Sequence, residues 1–194
     1  LSSQNDQADG QNLNDEQAEL YANELISYVA SAQQVVDMMI STGSEIDDLD
    51  FVNPASAGFD TPPHHHKVFH PAGGGLNYTQ PSIPPFINFN GDDDHGWYFI
   101  QSINVEWTPT TANEIVLSAF EVEIPICREI SKQITGSSTL PIHTGIGANP
   151  GDNFVNGTDD FDATHCVECD GYPTMCMLNT FATKCICYSI IAAQ

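Results

Sequence analysis

One stretch, residues 14–43, limits what this chain can fold into, because it carries a full set of helix start and stop signals. Asn14 suits an N-cap, where its side-chain oxygen accepts from an orphan backbone N–H. Asp15 and Glu16 fill the first turn, where carboxylates suit the positive end of the helix dipole. Gln17 stands where it can reach back to complete a capping box. Gly43 is a natural residue for the left-handed position past the last turn. Between these ends Ala18, Ala22, Leu25, Val29, Ala32, Val36 and Met39 recur at alternating gaps of four and three, one continuous apolar stripe. The interior holds no Gly or Pro. At 1.5 Å per residue such a helix runs roughly 40 Å, long for a domain of this size.

The chain has 194 residues, enough for a single domain with a real core. Its charge is extreme: 26 acidic residues face four basic ones, a formal net charge of −22. Those four are Lys67, Arg128, Lys132 and Lys184. Such a balance argues against nucleic acid as a partner, since phosphate binding needs Lys and Arg. It also argues against electrostatic binding to anionic membrane surfaces. Few surface ion pairs are possible, so screening by salt or divalent cations must relieve the repulsion. No apolar run is long enough to span a membrane. No signal peptide is visible, and residues 1–13 read as a flexible polar segment.

Residues 14–194 read as one domain: helix over 14–43, a loop region over 44–96, then a sheet and a cysteine-rich end over 97–194. The loop region carries seven prolines and Gly73-Gly74-Gly75, with short strands expected at 67–70 and 76–79. Residues 97–107 and 113–123 are aromatic and β-branched and read as a hairpin pair. Pro125 opens a short helix to about Ile134, with Ile126, Ile130 and Ile134 on one face. Residues 136–165 read as a second loop, and 184–193 as a final strand. In that strand Cys185 and Cys187 share a sheet face, because side chains alternate. The fold class is therefore α+β: a long helical spine packed on an antiparallel sheet, with long acidic loops and a disulfide-rich C-terminus.

Six cysteines, Cys127, Cys166, Cys169, Cys176, Cys185 and Cys187, five of them crowded near the end, read as a disulfide framework of an exported protein. Their pairing is open at this level. Cys166-x-x-Cys169 and Cys185-x-Cys187, with His165 beside them, suggest a zinc knuckle, but the second pair has the wrong spacing for a ribbon. As a redox motif, Cys166-x-x-Cys169 lies in a loop rather than at a helix start after a strand. His64, His65, His66 and His70 are potential zinc or copper ligands, although adjacent side chains diverge and an ordinary loop explains them as well. Asp152, Asn156, Asp160 and Asp162 in one loop, and Asp92, Asp93 and Asp94 in another, are hard oxygen donors of the kind calcium takes. Neither loop fits the EF-hand pattern, and a solvated acidic loop is the alternative. No nucleophile elbow and no phosphate-binding Gly-rich loop is present, so no residue set argues for an enzyme.

Several stretches together resemble a known family. They are Ala22-Asn-Glu-Leu-Ile-Ser-Tyr28 with its Gly43 stop, Val68-Phe-His-Pro-Ala-Gly-Gly-Gly75, Trp97-Tyr-Phe99, Asn113-Glu-Ile-Val-Leu117, Cys127 with its helix, and Tyr188-Ser-Ile-Ile-Ala192. They are similar to the ectodomains of type IV pilins and pseudopilins, and more narrowly to a group of pilin-like proteins from alphaproteobacteria. Members of that group often carry a cysteine just before Val-Phe, where this chain has Lys67. The resemblance implies a structural, non-enzymatic subunit of an extracellular or cell-surface filament, partnered by copies of itself or related subunits. Its assembly helix would carry the Ala18–Met39 stripe, half against its own sheet and half against neighbours. In that family a basic leader and about twenty apolar residues, enough for a membrane span, precede this point, so membrane contact is expected only through such an upstream segment. Calcium on the acidic loops would offset charge as subunits stack. The alternative is an exported metal- or ligand-binding protein using its histidine and acidic loops.

Overall fold

A computed structural model describes residues 13–82, 84–87, 95–144 and 150–193. The helical spine α1 runs Asp15–Ser41. Its capping box is formed: Asn14 Oδ1 accepts from the Gln17 N–H at 2.8 Å, and Gln17 Oε1 accepts from the Asn14 N–H at 3.2 Å. Thr42 closes the last turn, and Gly43 follows at φ +110°.

The sheet holds β1 (Gly96–Ile103), β2 (Glu114–Val122), β3 (Thr174–Leu178) and β4 (Cys185–Ala192), all antiparallel, in the order β1-β2-β4-β3. Helix α2 (Ile124–Thr135) follows β2, with Pro125 in its first turn. A short α3 (Pro150–Phe154) lies within the later loop. The fold class is thus α+β, with a four-stranded antiparallel sheet and three disulfides.

Strand β2 is buried at all nine positions. Both of its faces are covered, which is why its apolar residues fall on both faces rather than alternating with polar ones. Ile115, Leu117 and Ala119 face the layer of α1 and α2. Val116 and Phe120 face a layer of loop that includes α3. At Glu121 (φ +58°) the register slips, and Val122 returns to the helix face. The buried Glu121 carboxylate is paired with Lys184.

The α1 stripe meets the helix face of the sheet in two clusters. Ala18, Ala22 and Leu25 pack with Ile126, Ile130 and Val122. Ala32, Val36 and Met39 pack with Leu49, Val68, Leu117 and Ile191. Opposite, Phe154, Phe161 and Tyr188 form an aromatic centre with ring centroids 4.8–5.4 Å apart. Such pairs contribute about 1 kcal/mol each beyond their area.

The strands expected at 67–70 and 76–79 are not formed. One parallel bridge joins Asp50 to Lys67, and the Leu76 N–H donates to the Val68 carbonyl. The segment instead folds beneath the end of α1, and its glycines explain how. A Cβ on Gly73 would collide with the carbonyls of His64 and Lys67. One on Gly74 would stand 2.6 Å from Val68 O and 2.7 Å from Met39 Sδ. Gly74→Ala is therefore expected to destabilise the fold by about 2 kcal/mol, the scale of an overpacked core, read as a lower urea midpoint with unchanged slope.

Three of the four basic side chains are engaged within the chain. Lys67 Nζ is held by loop carbonyls, Lys132 pairs with Glu129 at 3.0 Å, and Lys184 with Glu121.

Candidate functional site

Helix α1, with 27 residues, is the longest element among the described residues. Six of the seven stripe residues, Ala18, Ala22, Leu25, Ala32, Val36 and Met39, are buried in the chain's own core, and Val29 is half-buried. The outward face is mostly polar and acidic, but it exposes two large apolar side chains, Leu20 (63%) and Met38 (46%). Eighteen residues are five full turns, so these two share one line along the helix, about 27 Å apart. Between α1 and α2 lies an apolar groove of about 370 Å³, lined by Ile26, Val29, Ala30, Ile130 and Ile134, with Cys187 in its floor. No helix among the described residues is long and apolar enough to cross a membrane.

The cysteines pair as Cys127–Cys185, Cys166–Cys169 and Cys176–Cys187. Cys185 and Cys187 do share one face of β4, and Cys127 Sγ lies 3.6 Å from Cys187 Sγ. Cys127, Cys185 and Cys187 are the one group of three or more metal-ligating side chains gathered within 4.8 Å among the described residues, and all three are oxidised.

The acidic loop residues have separate tasks. Asp160 Oδ1 accepts from the Asn104 N–H at 2.7 Å, joining the loop to the end of β1. Asp162 Oδ1 accepts from the Thr164 N–H and hydroxyl and from the His165 ring. The bond from the Thr164 hydroxyl leads the contacts that hold its carboxyl below the usual carboxylate range. The Asp152 carbonyl accepts from Thr158, and Asn156 is exposed. Asp92, Asp93 and Asp94 lie outside the described residues. In the histidine loop, His64 and His70 stack face to face at 4.1 Å, and His66 Nδ1 is 3.1 Å from the Ser44 hydroxyl. Stacked rings direct their nitrogens in parallel rather than toward one point.

A further pair of histidines lies at the edge of the aromatic centre: His165, which the sequence offered only beside the cysteine pairs, and His143, which it did not single out. His143 is fully buried, its Nε2 3.0 Å from Asn153 Oδ1. The Asn153 amide nitrogen donates to the carbonyls of Asp159 and Asp160, at 2.9 and 3.0 Å. Those two bonds settle which end of the amide is nitrogen. Asn153 Oδ1 therefore accepts, and His143 Nε2 carries the hydrogen. His143 Nδ1 is then a bare lone pair, buried and without a hydrogen-bond partner among the described residues. An orphan of this kind costs about 1–3 kcal/mol. The ring of His165 lies 5.3 Å away, its Nδ1 bonded to Asp162 Oδ1 at 2.8 Å. The Asp162 backbone N–H also points at Nδ1, at 3.4 Å, but the carboxylate contact is far shorter and charge-assisted, so hydrogen sits on Nδ1 and Nε2 is the lone-pair nitrogen.

Burial pushes the His143 imidazole below its ordinary pKa; the Asn153 bond opposes this, and the neighbouring His165 adds to it. The unfolded chain then takes up this proton more readily than the folded one. Stability is expected to fall as pH drops below about 6.5, the unfolded imidazole range. Melting curves between neutral pH and about pH 5 should show this fall, and His143→Gln should flatten it.

Comparison with protein-family models, curated proteins and solved structures returned no match.

Proposed function

We propose that the chain is a structural, non-enzymatic subunit of an extracellular type IV pilus-like or pseudopilus filament, assembling through α1 with copies of itself or related subunits. The observation that carries this reading is α1 itself. It is a spine of 27 residues laid along an antiparallel sheet, with its inner stripe taken up by the core and Leu20 and Met38 in line on its outward face. The apolar line supplies contact area, and the polar face between its ends keeps a free subunit soluble. The disulfides support a compartment outside the cytoplasm. Membrane contact, in this reading, belongs to an apolar segment upstream of Leu1.

The test is electron microscopy of material sheared from cells expressing the full gene. Filaments that label with antibody to this chain are expected. Leu20→Glu with Met38→Glu should abolish them while leaving the melting temperature of the soluble domain unchanged. A chain found only as monomer in the medium, with no filaments, overturns the proposal.

Stacking copies with a charge of −22 requires counter-ions. Calcium held diffusely between the acidic loops of neighbouring copies, rather than at one site within a chain, would supply them. Adding calcium to chelator-treated protein is then expected to raise its melting temperature. An unmoved transition removes calcium from the scheme.

A further inference from the structure

We propose that His143 and His165 form a binding site for a transition-metal ion of the zinc and copper class, with His143 Nδ1 and His165 Nε2 as its two protein ligands. The proposal goes beyond filament assembly and does not depend on it.

Three observations carry it. The first is the pair of lone-pair nitrogens. The hydrogen-bond network assigns hydrogen to His143 Nε2 and His165 Nδ1, so each ring keeps one nitrogen able to bind a metal. Of these, His143 Nδ1 is buried without a hydrogen-bond partner among the described residues.

The second is spacing. Two imidazoles bound to one tetrahedral ion through nitrogens at about 2.0–2.1 Å have ring centroids about 5 Å apart. The centroids of His143 and His165 are 5.3 Å apart, with the ring planes inclined at 35°. Of the other close histidine pairs, His64 and His70 are stacked at 4.1 Å and 5°, and the adjacent His65 and His66 lie at 3.9 Å, both nearer than two rings sharing one tetrahedral ion.

The third is the support behind each ring. A metal-bound histidine typically has its other nitrogen held by a carboxylate or carbonyl, which fixes tautomer and orientation. Asp162 does this for His165, and Asn153 for His143. Asp162 is itself fixed by Thr164, and Asn153 by two backbone carbonyls. Phe161 flanks both rings, at 6.2 Å from His143 and 6.0 Å from His165, and keeps one side apolar. The His165 side chain is 22% exposed and gives an ion its way in. Nitrogen donors select a borderline ion over calcium or magnesium. Two protein ligands leave positions open for water or a small anion.

The experiment is titration of the chelator-treated, disulfide-intact protein with zinc by calorimetry, and with copper(II) by electron paramagnetic resonance. One equivalent per chain is expected, with nitrogen hyperfine structure in the copper spectrum. His165→Ala should weaken binding at least a hundredfold. Asp162→Asn keeps both ligands and alters only the support of one, so a loss of about 10–100-fold is expected. Melting curves of the metal-free variants establish that each is folded, and Asp162→Asn stands as the deciding variant where His165→Ala is not. A combined His64→Ala, His65→Ala, His66→Ala and His70→Ala variant should bind as the parent does. Absence of binding in the parent overturns the site. So does binding unchanged in both His165→Ala and Asp162→Asn, or binding lost in the four-histidine variant.

Discussion

Replacing Cys127 and Cys185 together by alanine is expected to lower the folding free energy by about 4 kcal/mol, since the bridge closes a loop with a sequence separation of 58. Both sulfurs are fully buried, and the bridge ties α2 to the strand beneath it. Chemical denaturation of the double variant against the parent measures the loss. Removing Cys185 alone should have a different result. The freed Cys127 sulfur lies 3.6 Å from Cys187 Sγ. As a thiolate at mildly alkaline pH it can attack that atom, form a Cys127–Cys187 bond and release Cys176 as thiolate. Peptide mapping after alkylation should find Cys176 labelled and Cys127 protected. If Cys127 carries the label and Cys176–Cys187 is intact, the two sulfurs do not exchange.

Lys67→Met is expected to cost about 3 kcal/mol, because it leaves several carbonyls without their donor. The Lys67 side chain is buried, and its ammonium donates to Gly58 O at 2.6 Å, Phe59 O at 2.9 Å and Thr61 O. Three carbonyls around one cation draw the loop together much as a bound ion would. Lys67→Arg should not restore stability, since a planar guanidinium cannot meet three acceptors arranged around a point. The urea midpoint measures the cost. Limited proteolysis should locate it, with new cleavage within residues 53–66. A loop that resists protease in Lys67→Met would show that its own turns hold it.

The same lysine shows where sequence reasoning stops. Helix α1 was legible because its signals are local: a capping residue, an unbroken stripe and a terminal glycine. Strands β1, β2 and β4 were legible from aromatic and β-branched runs, and the shared face of Cys185 and Cys187 from simple alternation. Strand β3, Thr174–Leu178, was missed, because five residues with two methionines and a cysteine carry no strand signature of their own. Its place is set by pairing with β4 and by the bond between the facing Cys176 and Cys187. Residues 67–70 looked extended, but what decides their path is an inward lysine and two glycines pressed against backbone, neither of which has a periodic signal. His143 and His165 carry no motif spacing. Only Asp162, three residues before His165, hinted at a supported imidazole, and Asn153 becomes its counterpart through tertiary structure alone.

The strand order sets a timetable for synthesis. β4 is the last strand in the chain, yet it lies inside the sheet, between β2 and β3. A polypeptide emerging N-terminus first presents α1 and the β1–β2 hairpin early, with one edge of β2 unpaired and a strand that is buried at all nine positions in the folded protein left open along it. Nothing local can cover that edge, because its partner is residues 185–192. Two of the three disulfides likewise wait for Cys185 and Cys187. The sheet therefore closes in one late step, after a long interval in which the nascent chain is open and prone to wrong strand pairing. A truncation that removes β4 would therefore divide the sheet rather than trim it.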